Sequence, residues 1–358
     1  MGRRTNLRDL IGVLKDKASL SKAALLSKPN TSSANLAVLR ATTHEPSIPP
    51  NEKHVAALLS FGHSSRATAS TCIEALMDRL QNTHNSSVAL KCLITVHIII
   101  KRGSFILQDQ LSIYPSSGGR NYLNLSNFRD YSTPKTWELS LWVRWYARVL
   151  EQLLLCSRVL GFFLCSSSYT SEKDTVEEKV SALLNRDLLR EIDALVGVIE
   201  EICRAPDSVH VQGNSLVYEV MEFVRTDYLS AQNEILLRVI EFRERLDSLS
   251  FGESVELVCT LKRLEECKER LLLLFMNTKT TTESIWDLVS EIKNNLGMMK
   301  ECRNDGRLVR TGRRERGSES ARFGGQVVRS GDSVLFSSGR VDLNRVPFTI
   351  LESVASDE

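Results

Sequence analysis

The sequence predicts an all-α fold, and three observations support this prediction. Apolar residues recur at helical spacing along most of the chain up to about residue 302. Pro, Gly, Ser and Asn residues separate these stretches at short intervals. No convincing alternation of apolar and polar residues, which would indicate a half-buried strand, is present. Because no fixed period of the tetratricopeptide, ankyrin or leucine-rich type occurs either, we expect an irregular stack of helices.

The predicted helices are taken in chain order from this periodicity. The first covers Asn6 to Leu14, where Leu7, Ile11 and Leu14 fall on one apolar stripe and the charged residues lie off it. The remaining helices follow the same criterion and stop at Pro, Gly, Ser, Asn or Thr residues. They are predicted at Ser19–Leu26, Ser33–Ala41, Asn51–Phe61, Arg66–Gln81, Ser87–Arg102, Thr136–Cys165, Val176–Arg204, Ser208–Leu229, Ala231–Ser250, Ser254–Asn277 and Thr281–Lys300.

The composition changes beyond Arg303, where arginines alternate with Gly and Ser and the helical period disappears. We therefore expect a disordered tail. The predicted organisation has three parts: an N-terminal helical part with a basic end (1–165), the remaining helices (166–302) and the tail (303–358).

Positive charge is concentrated at the N-terminal end. Residues 1–54 contain nine Lys and Arg against four Asp and Glu, a net charge of +5, whereas the whole chain carries only +2. An asymmetric field of this kind indicates an oriented anionic partner. The chain contains no CxxC pair, no zinc-type spacing, no phosphate loop and no nucleophile elbow. It also lacks a nucleic-acid recognition module, so we expect no metal, no cofactor, no catalysis and no specific nucleic-acid partner.

The segment between Arg40 and His54 carries the main candidate site. Arg40 ends one predicted helix, and Lys53 and His54 begin the next. The residues between them cannot become helical because they include three prolines, Pro46, Pro49 and Pro50. Cations held at the two ends of a stiff connection suit an anionic phosphate group. Without further support, the same residues could simply be solvated side chains around a loop.

Four segments, in order, resemble the ANTH domain of monomeric clathrin assembly proteins. Arg40–Glu45 followed by Pro49–His54 is similar to the phosphoinositide-binding signature of that family. The other three are Lys91–His97, Leu123–Asp130 and Trp142–Arg148. The resemblance covers roughly residues 5 to 300, and the extended proline loop is similar to the plant branch.

This resemblance implies a right-handed superhelical stack of helices that binds phosphatidylinositol 4,5-bisphosphate. Arg40 occupies the first Lys of the family pattern, Lys53 the last basic position and His54 the aromatic position. Asn51 stands where the family has a second Lys, so one charge is missing. At about 1 kcal/mol for each basic residue near an anionic surface, we expect a several-fold weaker affinity.

The resemblance also implies a peripheral-membrane clathrin adaptor that promotes coat assembly at coated pits and vesicles, and it leaves open whether the membrane is the plasma membrane or that of the Golgi apparatus. The alternative is a helical scaffold that binds vesicle SNAREs and contacts lipid only incidentally. Short clathrin- or adaptor-binding tripeptides such as Asp-Pro-Phe and Asn-Pro-Phe do not occur in the sequence.

Other polar and aromatic residues have a structural interpretation. We expect His44 to hydrogen-bond the backbone of Thr42 and Thr43, and His97 to be a hydrogen-bonded histidine of the core. Near-helical spacing favours core packing for a cluster of aromatic residues, namely Trp137, Trp142, Trp145 and Tyr146.

Overall fold

The computed structural model describes residues 7–26, 29–115, 118, 121–164, 173–207, 213–275 and 285–296. Within these ranges all regular structure is helical and no strand occurs, which confirms the all-α prediction. They all belong to one compact unit, Met1–Gly306. The predicted disordered tail lies outside the described residues, and the division of the helices at residue 165 stays a prediction.

The described helices are numbered in chain order. They are α1 (Leu7–Leu26), α2 (Pro29–Ala41), α3 (Glu52–Leu59), α4 (Arg66–Asn82), α5 (Ser86–Arg102), α6 (Phe105–Ser112), α7 (Pro134–Leu160), α8 (Lys173–Ser181), α9 (Asn185–Cys203), α10 (Ser215–Arg245), α11 (Phe251–Glu266), α12 (Lys268–Leu274) and α13 (285–296). Short 3-10 turns extend α3 and α10, at Ser60–His63 and Leu246–Ser248.

Local sequence signals set many helix ends. Ser65 caps α4 and Thr133 caps α7, each in a reciprocal capping box with the threonine three residues later. Pro134 begins α7, where its missing N–H costs nothing. Gly161 ends α7 with a φ of 79°, a conformation that glycine adopts without a steric penalty.

Helix α5 lies at the centre of the N-terminal helices, and its residues from Ser86 to Lys101 are buried. It packs against α4, α7 and α10, while α7 packs in turn against α9, and α9 against α10 and α11. Most of these contacts join helices close to one another in the chain, as expected of a superhelical stack, and the contact between α5 and α10 links distant parts of the chain.

His97 is a hydrogen-bonded core residue, as predicted. Its Nδ1 lies 2.8 Å from Oη of Tyr146 on α7, and its Nε2 lies 2.7 Å from Oδ2 of Asp227 on α10. Lys101 Nζ lies 3.3 Å from the other oxygen of Asp227. Because these side chains are almost wholly buried, the polar cluster fixes how α5, α7 and α10 pack.

Several helix boundaries differ from the prediction. The two predicted helices before Leu26 are one helix, α1, and the two on either side of Ser230 are one helix, α10. The stretch predicted as a single helix at Val176–Arg204 is divided between α8 and α9. Helix α6 was not predicted. Polar residues such as Ser230 remain helical because burial of the flanking apolar residues outweighs their weak local preference.

The aromatic prediction is correct for three residues and wrong for the fourth. Trp142, Trp145 and Tyr146 are buried, whereas Trp137 is 42% exposed. Trp137 lies in the first turn of α7, where its ring contacts Tyr131 and the guanidinium of Arg129.

Candidate functional site

The structure places the three predicted site residues at the two ends of one connection. Arg40 lies in the last turn of α2, and Lys53 and His54 lie in the first turn of α3, which packs against α2. Arg40 and Lys53 are exposed, and His54 is partly buried. The residues between the helices, 42–51, are named the α2–α3 loop below.

Asn51 is the N-cap of α3. Its Oδ1 accepts a hydrogen bond of 3.0 Å from the backbone N–H of Lys53, and its carbonyl oxygen accepts one of 2.9 Å from the N–H of His54. These two amides are therefore engaged inside the helix, so Lys53 and His54 offer a ligand their side chains. The cap also explains why Asn suits a position where the family pattern has Lys.

The acidic neighbour of Lys53 is neutralised by α5. Glu52 forms a bidentate ion pair with Arg102, whose Nη1 lies 3.2 Å from Oε2. The hydrogen bond from Arg102 holds the pKa of Glu52 below its usual value. Glu52 therefore reduces the positive field of the site less than its position in the sequence suggests.

The first half of the α2–α3 loop is fixed by α1 and α4. His44 donates its backbone N–H to Oδ2 of Asp16 at 2.8 Å, and its Nδ1 lies 2.6 Å from Oδ1. Arg79 donates to the carbonyl oxygen of Thr42 at 3.2 Å and lies 3.7 Å from Asp16. The prediction that His44 pairs with the Thr42 and Thr43 backbone is wrong, because the Asp16 carboxylate offers a stronger, charge-assisted acceptor.

Burial opposes ionisation of Asp16, but the side-chain and backbone hydrogen bonds from His44, together with the charges of His44 and Arg79, lower its pKa overall. Gly12 on α1 permits this contact. A methyl group on Gly12 would lie only 2.9 Å from Cβ of His44, so a glycine is required for α1 to approach the loop this closely.

Lys91 holds the middle of the α2–α3 loop from its buried side. It lies on α5, is 1% exposed, and donates to Oγ1 of Thr43 at 3.0 Å and to the carbonyl oxygen of Glu45 at 2.8 Å. Burial lowers the pKa of this lysine to about 8, although the carboxylates of Glu45 and Asp16 favour its charged form.

The second half of the loop contacts α10. Ser47 has a positive φ of 60°, and its carbonyl oxygen accepts a hydrogen bond from Oγ of Ser215. The loop is therefore held by side chains from α1, α4, α5 and α10 as well as by its prolines.

Sequence reasoning missed four of the residues that hold this loop or neutralise its acidic neighbour: Asp16, Arg79, Lys91 and Arg102. Asp16 and His44 are separated by 28 residues, and no local pattern relates residues so far apart. Lys91 did carry a signal, because a single lysine inside a continuous apolar helix requires a buried partner.

The arrangement offers two exposed cations and an imidazole at the ends of a loop with little freedom. Such groups can form charge-assisted hydrogen bonds with a phosphate group, and little conformational entropy of the backbone remains to be lost on binding. No cluster of three or more His, Cys, Asp or Glu suited to a metal occurs in the part of the chain that the structure describes. In that same part, no helix combines the length and apolarity needed to cross a bilayer.

These features define an all-α protein of the superhelical type, in which exposed Arg40 and Lys53 flank a fixed loop between the second and third helices. The model of the ANTH domain family matches residues 33–284, and the chain belongs to this family.

Three similar proteins of Arabidopsis thaliana bear the name "Putative clathrin assembly protein". At4g40080 is 52% identical over 350 residues, covering 95% of either chain. At5g10410 is 35% identical and is matched over 84% of its length by 79% of this chain. At5g65370 is 32% identical and is matched over 99% of its length by 80% of this chain.

Proposed function

We propose that this protein is a peripheral-membrane clathrin adaptor that binds phosphatidylinositol 4,5-bisphosphate through Arg40, Lys53 and His54. The main support is that the exposed cations of Arg40 and Lys53 lie at the two ends of a loop held by its neighbours, in a chain of the ANTH family. Membership of the family and the names of its relatives support the role in coat assembly. In this role the protein links the clathrin coat to the membrane and catalyses no reaction.

Binding proceeds from long-range attraction to specific contact. The basic N-terminal end, which includes exposed Lys15, Lys17 and Lys22 on α1, orients the molecule toward an anionic leaflet. The guanidinium of Arg40 then takes one phosphate in a fork geometry, and the ammonium of Lys53 takes another as a point charge. The ring of His54 contributes a further donor.

Cosedimentation with vesicles tests the site. The probe is a phosphatidylcholine vesicle containing a few mole per cent of phosphatidylinositol 4,5-bisphosphate, compared with one of equal charge made with phosphatidylserine. The double variant Arg40→Ala with Lys53→Ala should lose about 2 kcal/mol, roughly a thirtyfold weaker affinity, on the bisphosphate vesicles.

A matched double variant controls for net charge. Arg186 on α9 and Lys262 on α11 are exposed, and Arg186→Ala with Lys262→Ala removes the same two types of cation elsewhere. This control should pellet like the wild type. Equal binding by both double variants would place the lipid contact at another surface.

Clathrin recruitment and endocytosis need a separate test. We expect the full chain, bound to bisphosphate vesicles, to recruit purified clathrin and to promote budding at coated pits of the plasma membrane or on the Golgi apparatus. Failure of vesicle-bound protein to recruit clathrin would leave the lipid site intact and remove the assembly role.

The competing role, a scaffold for vesicle SNAREs, makes a different prediction. If a SNARE brings the protein to the membrane, the Arg40→Ala, Lys53→Ala variant should still localise there. If the lipid does so, the variant should not. Localisation of that variant in cells therefore separates the two.

A further inference from the structure

A second surface, remote in the sequence from the α2–α3 loop, forms a cleft of about 490 Å³. It lies between the α4–α5 connection and the segment 121–131. Its apolar side is formed by three buried residues, Leu80, Leu125 and Phe128. Its volume is typical of a site for a small ligand or for a few residues of a peptide.

The edge of the cleft is rich in polar and aromatic groups that point to solvent. Asn124, Asn127 and Tyr131 are exposed, and Tyr131 is 78% exposed. The Tyr131 ring lies 5.0 Å from that of Trp137. Exposed aromatic rings supply a large contact area at small entropic cost, and side-chain amides can pair with the N–H and C=O groups of an extended backbone.

The cleft also contains a positive charge without an acidic partner. Arg129 lines the cleft, whereas Arg144 on α7 does not. Both donate to the carbonyl oxygen of the lining residue Phe128, at 2.7 and 2.9 Å, so two guanidinium groups share one neutral acceptor. Neither arginine forms an ion pair with any residue that the structure describes. Nη1 of Arg129 also donates to the carbonyl oxygen of Ser126 at 2.9 Å, and the guanidinium carbon lies 6.0 Å from the centre of the Trp137 ring. Nε and Nη2 of Arg129 form no hydrogen bond with the residues that the structure describes.

Asp130, the acidic neighbour of Arg129 in the chain, does not form an ion pair with it, and a second carboxylate, Glu151, accepts a hydrogen bond from the side-chain amide of the lining residue Asn121. Asp130 is 1% exposed and turns inward, where it accepts hydrogen bonds from the backbone of Ser86 and from Ser132. Burial lowers the pKa of Arg144, and the positive charges of Arg129 and Arg148 lower it further. Two cations that share only neutral acceptors give this edge of the cleft a positive potential, which favours an anionic group of a ligand.

We infer that this cleft binds an extended acidic segment of a partner protein, with an Asp or Glu side chain on Arg129 and a neighbouring apolar side chain on Phe128 and Leu125. The fork of a guanidinium matches a carboxylate. The apolar floor and aromatic edge favour a peptide over a lipid headgroup, which would leave the floor empty.

The experiment selects ligands for the full chain from a phage-displayed library of random short peptides, and then measures a fluorescein-labelled consensus peptide by anisotropy. The selected peptides should share an acidic residue next to a large apolar one. Arg129→Gln should weaken the consensus peptide at least tenfold, and Tyr131→Ala several-fold. Tyr131→Ala is included because loss of an exposed ring has little effect on folding, so weaker binding by this variant reflects the lost contact and not unfolding.

Two controls define specificity. Arg190→Gln removes an exposed arginine on α9 and should leave the affinity unchanged, as should the Arg40→Ala, Lys53→Ala variant. Inositol 1,4,5-trisphosphate should not displace the peptide.

A charge exchange gives the strongest support. The Arg129→Glu variant should no longer bind the consensus peptide, and it should bind a version of the peptide in which Lys replaces the acidic residue. The inference is overturned if no peptide is enriched, if the enriched peptides lack an acidic residue, if Arg129→Gln and Tyr131→Ala bind as the wild type does, or if inositol trisphosphate competes.

Discussion

The ammonium group of Lys91 lies 2.8 Å from the carbonyl oxygen of Glu45, so a buried cation on α5 supports the loop whose ends carry two exposed ones. The buried charge is costly to desolvate, and its hydrogen bonds to Glu45 and Thr43 offset part of that cost. Lys91 therefore serves to position the α2–α3 loop, and this role leads to the first prediction.

Lys91→Met should change how stability depends on pH. The folded pKa of about 8 is below the ordinary value of 10.5, so between these values the unfolded chain binds more protons than the folded one. The wild type should therefore gain stability relative to Lys91→Met as the pH rises from 8 to 10, approaching about 1.4 kcal/mol per pH unit. Urea unfolding of both proteins across this range measures the difference. A constant difference would mean that Lys91 is not the group that titrates.

Asn51→Lys should strengthen vesicle binding and weaken the fold. The new ammonium adds about 1 kcal/mol of attraction to an anionic surface. Loss of the α3 cap costs about 1 kcal/mol of unfolding free energy. Asn51→Ala is the matched control, because it loses the same cap without gaining charge. If both variants bind vesicles equally, residue 51 does not face the headgroup.

Asp16→Asn should alter stability in acid. Since the folded pKa of Asp16 is lowered, its carboxylate stabilises the fold above the ordinary value of 3.8, and this contribution is lost as the pH falls through the folded value. The wild type should be the more stable protein at pH 7, and the advantage should shrink below pH 4. Chemical unfolding at both pH values gives the comparison, with Asp247→Asn as an exposed control. An unchanged advantage in acid would contradict the assignment.

Gly12→Ala should loosen the contact between α1 and the α2–α3 loop. The added methyl group meets Cβ of His44, which cannot rotate away, so a loss of about 1 to 3 kcal/mol from overpacking opposes the gain of about 1 kcal/mol in helix propensity. Gly252 on α11 has open space at the same position, and Gly252→Ala should stabilise. Thermal unfolding ranks the two variants. Equal stabilisation by both would show that α1 does not approach His44 closely.

The helical part of the fold followed from local patterns, and its errors have a common origin. Capping residues such as Ser65 and Thr133 set the beginnings of helices close to those predicted, whereas Gly161 ends α7 at Leu160, before the predicted end at Cys165. At Ser230 the prediction ended a helix on a weakly unfavourable polar residue. The structure continues α10 through it because Val224, Ala231 and Ile235 are buried against neighbouring helices. Local preference is worth tenths of a kilocalorie there, and packing is worth several times more.

The sequence by itself determined the all-α class, the family, and the choice of Arg40, Lys53 and His54 as candidate residues for binding a phosphate group. These inferences rest on the helical period, the helix-breaking prolines and the ordered motifs, which are local features of the sequence. The tertiary structure decided what holds the loop between them: Asp16 on His44, Arg79 on Thr42, and Lys91 on Glu45. It also brought Arg129 and Arg144 onto one carbonyl oxygen. Such contacts join residues far apart in the chain, and they form only when burial of the helices brings those residues within hydrogen-bonding distance.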